Sequence, residues 1–231
     1  MTEDPGGRRG PVRARSVKPA RPAHRAILPA REATKPVAVG VDDHRGWANL
    51  VSVSLRGGRA IVVNRRRIEL IHRDLPTQPH HHEAQVLALD EARELVRRVT
   101  ESIAESCRSA LRPLVEELAG RGYRPVLIAI RAVPETPDDL RVVLENQAAS
   151  IAADGALYLR GLAGAAAELG VEVRPYTRAD AEARAARALG VETAEVPAFL
   201  KSLGEGLGPP WSKEHRIAAA AAIGALESER G

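Results

Sequence analysis

Val37-Ala38-Val39-Gly40-Val41-Asp42 is a short apolar run that ends in an acid. It is too short for a buried helix and too continuously apolar for a surface strand. It therefore reads as a strand buried on both faces, with polar side chains delivered at its carboxyl end. Asp43-His44-Arg45-Gly46 has the composition of a turn. Residues 47–55 alternate and are β-rich, 56–59 form a second turn, and 60–71 read as a third strand with Arg65-Arg66-Arg67 in its middle. Three strands joined by such short turns make an antiparallel meander.

Downstream the period changes. A polar loop at 72–85 carries His80-His81-His82-Glu83. Ala92, Val99, Ile103, Cys107, Leu114 and Leu118 then recur at helical spacing. Asp90 is the expected N-cap, Gly120 and Gly122 the stop, and Pro113 either a kink or the start of a second segment. Residues 124–131 read as a central strand. Residues 138–169 read as helix, with Gly155, Gly161 and Gly164 as candidate breaks, and 171–176 as a fifth strand. Short helices at 179–189 and 194–203 form an apparent insertion at about 178–208, and an Ala-rich helix at 212–226 closes the chain. The order β-β-β-α-β-α-β-α predicts one α/β domain at 36–231, a mixed five-stranded sheet with helices on both faces.

The 231 residues carry a formal charge of +4, and the excess lies before Pro36, where nine Lys and Arg face only Glu3, Asp4 and Glu32. Residues 1–35 have no hydrophobic periodicity and are expected to be a disordered tail. Such a tail is either a salt-sensitive arm for nucleic acid or a solubilising extension. One cysteine, Cys107, excludes a disulfide framework and a thiolate metal site. Neither a membrane span nor a signal core is evident, which makes the cytoplasm the expected compartment.

The strand order, with Val39-Gly40-Val41-Asp42 running into a hairpin and a final Trp211-Ser212-Lys213-Glu214-His215-Arg216 opening an Ala-rich helix, resembles the ribonuclease H-like superfamily, including RuvC-type resolvases. Residues 134–160 are also similar to bacterial proteins that share the Gly40–Leu50 stretch. The superfamily resemblance implies strands one, three, four and five parallel and strand two antiparallel. It also implies metal-dependent hydrolysis of nucleic-acid phosphodiesters, in which two Mg²⁺ or Mn²⁺ ions held by three or four carboxylates align water and phosphate. By position Asp42 matches the first-strand ligand and Glu214, with His215, the last-helix ligand. Glu135, Glu91 and Asp43 are the acids available to complete the shell, and Arg131, His44 and Arg45 the groups expected to contact phosphate. Here the chain departs from the pattern. The fourth strand ends in Arg131 where an acid is expected, and the final helix has alanine from 218 to 222 where a second acid often stands. The alternative is a degenerate module of the same fold that binds nucleic acid or a protein. Each residue also has a plainer reading. Asp42 and Asp43 shape a hairpin, Glu214 favours a helix N-terminus, and the His80–Glu83 stretch is a solvated loop rather than a metal site.

Overall fold

The structure, a computed structural model, describes residues 35–227, so the expected basic tail lies outside the described residues. β1 (Lys35–Asp43), β2 (Trp47–Arg56) and β3 (Arg59–Glu69) form the expected meander, with β2 antiparallel to both neighbours. β4 (Tyr123–Arg131) runs parallel to β1, and β5 (Glu172–Tyr176) runs parallel to β4. The sheet order is β3-β2-β1-β4-β5. As the middle strand, β1 is covered on both sides. Val37, Val39 and Val41 enter one core and Ala38 the other, which follows from the two-residue period of a strand.

On the first face lie α1 (Leu89–Gly120), the short α2 (Leu140–Glu145) and α3 (Gln147–Glu168). The apolar stripe of α1 buries Val99, Ile103, Leu111, Leu114 and Leu118. Each such side chain contributes about 1.5–3 kcal/mol on leaving water. Pro113 sits within one continuous helix, on its exposed side, where water can satisfy the carbonyl it leaves unbonded. The cap of α1 also differs from expectation. Glu91 Oε2 reaches back to accept the Ala88 amide at 3.2 Å, and Asp90 lies inside the first turn. The glycines of α3 do not break it. The interruption falls at Asn146, whose side chain caps α3 by accepting the Ala149 amide at 3.0 Å. Gly161 instead lets α3 approach α1, since a Cβ there would stand 2.6 Å from Ile103 Cγ2.

On the second face α4 (Ala181–Leu189), α5 (Val196–Ser202) and α6 (Lys213–Ala225) build a core rich in alanine. The 178–208 segment is part of this layer. Ala181, Ala185 and Ala188 of α4 are buried in the same core as α6. Small residues permit backbone contact, and at Gly40 it is closest: a Cβ would stand 1.8 Å from the Ala218 carbonyl oxygen. That approach seats the first turn of α6 beside the carboxyl end of β1. The arginine run of β3 is committed to structure. Arg65 donates to the carbonyls of Leu207, Gly208, Pro209 and Pro210, and Arg66 pairs with Glu117.

Candidate functional site

Alternation along β1 sends its two terminal acids to opposite faces. Asp42 follows Ala38 and Gly40 toward α6, and Asp43 follows Val41 toward α3. Both are buried, Asp42 completely. A buried carboxylate requires charge compensation and hydrogen bonds, and each of these obtains both. Arg131 forks onto Asp43, with Nε at 2.6 Å from Oδ1 and Nη2 at 2.5 Å from Oδ2. Pairing raises the Arg131 guanidinium further above its ordinary range, the hydrogen bond to Asp43 being the main cause. Asp42 accepts from Arg178 Nη2 at 2.8 Å and lies 3.2 Å from His44 Nε2. The His44 ring stacks on Trp47 at 3.9 Å, and the Arg67 guanidinium lies 4.0 Å over the Trp47 ring. Beneath these groups the Tyr176 hydroxyl donates to the Val41 carbonyl at 2.7 Å. Burial, then the two aspartates, pushes that phenol upward.

The first turn of α6 brings two more candidates to this edge. His215 is buried, and its Nδ1 lies 2.7 Å from the Ser212 hydroxyl. Burial, and then the charge of Arg65, holds His215 below its usual value. Glu214 is held below the usual carboxylate range by the Ser212 hydroxyl and its own backbone amide, with His44 and His215 adding to the effect. Asp42, His44, Glu214 and His215 therefore form one electrostatic neighbourhood. Glu91 and Glu135 do not join it: Glu91 caps α1, and Glu135 is exposed in the loop after β4.

Between this edge and α3 opens a cavity of about 620 Å³. Arg45, Arg131 and Arg178 line it with His44 and Asp43, and Tyr158 of α3 forms part of its wall. Arg45 is exposed and has no ion-pair partner among the described residues. A smaller cavity of about 220 Å³ continues past Arg178 to Lys213 and Arg216. Once the two buried acids are matched by Arg131 and Arg178, the rim keeps a surplus of positive charge.

The central β1, a meander on one flank and parallel strands on the other, with α6 against β1, is an arrangement found in solved structures. The structure of Thermus thermophilus RuvC in complex with a Holliday junction substrate superposes with a TM-score of 0.50 at 15% identity, covering 84% of this chain and 96% of that one. This is a ribonuclease H-like fold. A second structure of Thermus thermophilus RuvC gives a TM-score of 0.48 at 16% identity, over 84% of this chain and 95% of that one. No family model matches the sequence, and no curated protein is similar enough to match it.

The donor set present at this edge does not fit a two-ion metal centre. Mg²⁺ and Mn²⁺ take oxygen ligands, mostly from clustered carboxylates. Among the described residues no three His, Cys, Asp or Glu converge on one point. Asp42 and Asp43 diverge, and a cation occupies the end of β4. Ala218, one turn beyond Glu214, is buried with its backbone against Gly40 and supplies no ligand atom. Arg131, expected from the sequence to contact phosphate, is paired with Asp43. Arg178 was missed, because no pattern in the residues after β5 marks one arginine as reaching back to β1.

Proposed function

We propose that this chain is a nucleic-acid-binding module on a ribonuclease H-like sheet. It grips the sugar-phosphate backbone at the carboxyl edge of β1 with arginines where a catalytic relative would hold metal. The observation that carries this reading is the exchange of charge at that edge. Arg131 and Arg178 neutralise the two buried aspartates, and Arg45 remains unpaired at the mouth of a cavity large enough for a nucleotide. Guanidinium groups suit phosphate because their planar donor forks match its oxygens. Arg45, Lys213 and Arg216 extend the positive rim on both sides of Arg178.

Fluorescence anisotropy with a labelled single-stranded and a duplex oligonucleotide tests the reading. Affinity is expected to fall linearly with salt on logarithmic axes. Arg45→Glu should weaken binding and reduce the slope by about 0.7–0.9 if it removes one phosphate contact. Binding equal in wild type and Arg45→Glu at all salt concentrations would assign the interaction elsewhere, the basic N-terminal segment being the obvious source.

A second reading, metal-dependent hydrolysis, is favoured by one observation: Asp42, His215 and Glu214 share an electrostatic neighbourhood. For this, Arg178, whose side chain is half exposed, would have to leave Asp42. Asp42 and Glu214 would then hold a single Mg²⁺ or Mn²⁺, with His215 beside them; Glu135, Glu91 and Asp43 would have to move to contribute. A Mn²⁺-dependent rise in melting temperature that Asp42→Asn abolishes would support this reading over the first.

A further inference from the structure

The His80–Glu83 stretch is solvated only in part: His82 and Glu83 are exposed, whereas His80 is buried. Asp154, fully buried on α3, gathers three donors from it: the His80 amide at 2.9 Å, the His80 ring Nδ1 at 2.8 Å and the His81 amide at 3.1 Å. The Tyr158 hydroxyl donates to the Thr77 carbonyl at 2.8 Å and pins the start of the same loop. A carboxylate only accepts, so Nδ1 of His80 carries its proton toward Asp154. The other nitrogen, Nε2, bonds to no described residue and is not sealed in, although His80 as a whole is 5% exposed. His80 lines a second cavity of about 380 Å³.

This cavity is separate from the one at the β1 edge. At 100° per residue, Ala152, Gly155 and Leu159 of α3 point to the β1 cavity, while Ala153, Leu157 and Arg160 point to roughly the opposite side. Around His80 the second cavity collects Arg93, Arg97 and Arg160, the Thr136 side chain, and one acid, Asp138. The only hydrogen bond of Arg160 among the described residues is a 3.3 Å contact to Thr136 Oγ1. Arg93 is held by Asp90, a largely exposed i,i+3 pair that contributes little. Arg97 is bound between Glu94 and Glu101 and adds less. A buried imidazole oriented by a carboxylate, facing two guanidiniums and a hydroxyl, is a donor set for a tetrahedral oxyanion with several negative charges.

We propose that the cavity lined by His80, Arg93, Thr136 and Arg160 is an anion site for a phosphate monoester or inorganic phosphate, with Asp154 holding the His80 ring so that Nε2 meets the ligand. The site stands independently of the reading at the β1 edge. In the full-length protein with ¹⁵N-labelled histidine, inorganic phosphate is titrated at constant pH. The His80 Nε2 resonance, assigned by its loss in His80→Gln, is expected to shift saturably. Arg160→Gln, a change at the rim away from the Asp154 contacts, should weaken phosphate at least about tenfold while leaving the melting temperature unchanged. Asp42→Asn should leave phosphate binding intact, which separates this site from the β1 edge. A 5′-phosphorylated oligonucleotide moving the same resonance, with its 5′-hydroxyl counterpart silent, would identify a strand terminus as the source. A shift with inorganic phosphate alone would identify the free ion. No saturable shift of Nε2 with either probe, or equal phosphate affinity in wild type and Arg160→Gln, would overturn the proposal and leave the dyad as a clasp for the loop.

Discussion

Replacing Arg131 by Met removes the charge at the end of β4 and keeps most of the aliphatic bulk. The Asp43 side chain is 3% exposed and would lose both of its charged donors. Breaking a fully buried pair by removing one partner costs about 3–5 kcal/mol. The Arg131 side chain, however, is 35% exposed. Water therefore screens part of the interaction and reaches part of the vacated space, which lowers the expected loss to about 2–3 kcal/mol. For a chain of this size that is a fall of roughly 4–12 °C in melting temperature. Urea unfolding followed by circular dichroism, with an unchanged m value, measures it. Asp43→Asn in the Arg131→Met background should recover much of the loss, because the stranded charge is gone, giving a coupling of about 2 kcal/mol in the double-mutant cycle. An Arg131→Met protein within about 0.5 kcal/mol of wild type would mean that Asp43 does not depend on the cation beside it.

Gly40→Ala places a methyl group on the Ala218 carbonyl oxygen and should either prevent folding or cost more than about 3 kcal/mol; a protein that melts like wild type would contradict the packing of α6 on β1. Burial pushes the Cys107 thiol up to about 12, so it should resist a thiol reagent in the native state and react at the rate of global opening. Rapid native labelling would place it elsewhere. His215 is held below its ordinary value by burial, so the unfolded chain takes up its proton first as pH falls. Its contribution is thus absent above about pH 6.5 and destabilises progressively below that, until the lowered folded value is passed. His215→Gln should flatten this part of the stability-pH profile, and an unchanged slope would count against the burial of the ring.

The fold was legible in the sequence because its signals are local and strong. The Val37–Val41 run, the two short turns and the helical stripe from Ala92 to Leu118 each admit one reading, and the strand order follows from their sequence. What failed were features set by tertiary contact. Gly161 looks like a helix breaker until Ile103 is known to lie against it, and His80-His81-His82-Glu83 looks solvated until Asp154, far along the chain, is placed beneath it. Of the candidate site, the sequence marked the paired acids Asp42 and Asp43 at the end of β1 and Arg131 as the residue out of pattern. Its partner was not foreseen, because only side-chain alternation along β1 decides whether Arg131 meets Asp42 or Asp43. Arg178 offered no signal at all, since a single arginine after a strand is indistinguishable from a solvated one.

On this reading arginine, rather than metal, meets phosphate at the β1 edge. Oligonucleotide affinity measured by anisotropy in EDTA and again with saturating Mn²⁺, for wild type, Asp42→Asn and Arg45→Glu, tests it directly. The predicted result is the same affinity with and without metal in wild type, weakening in Arg45→Glu, and no cleavage of the probe. Binding that needs Mn²⁺ and disappears in Asp42→Asn, or cleavage that Asp42→Asn abolishes, would contradict it.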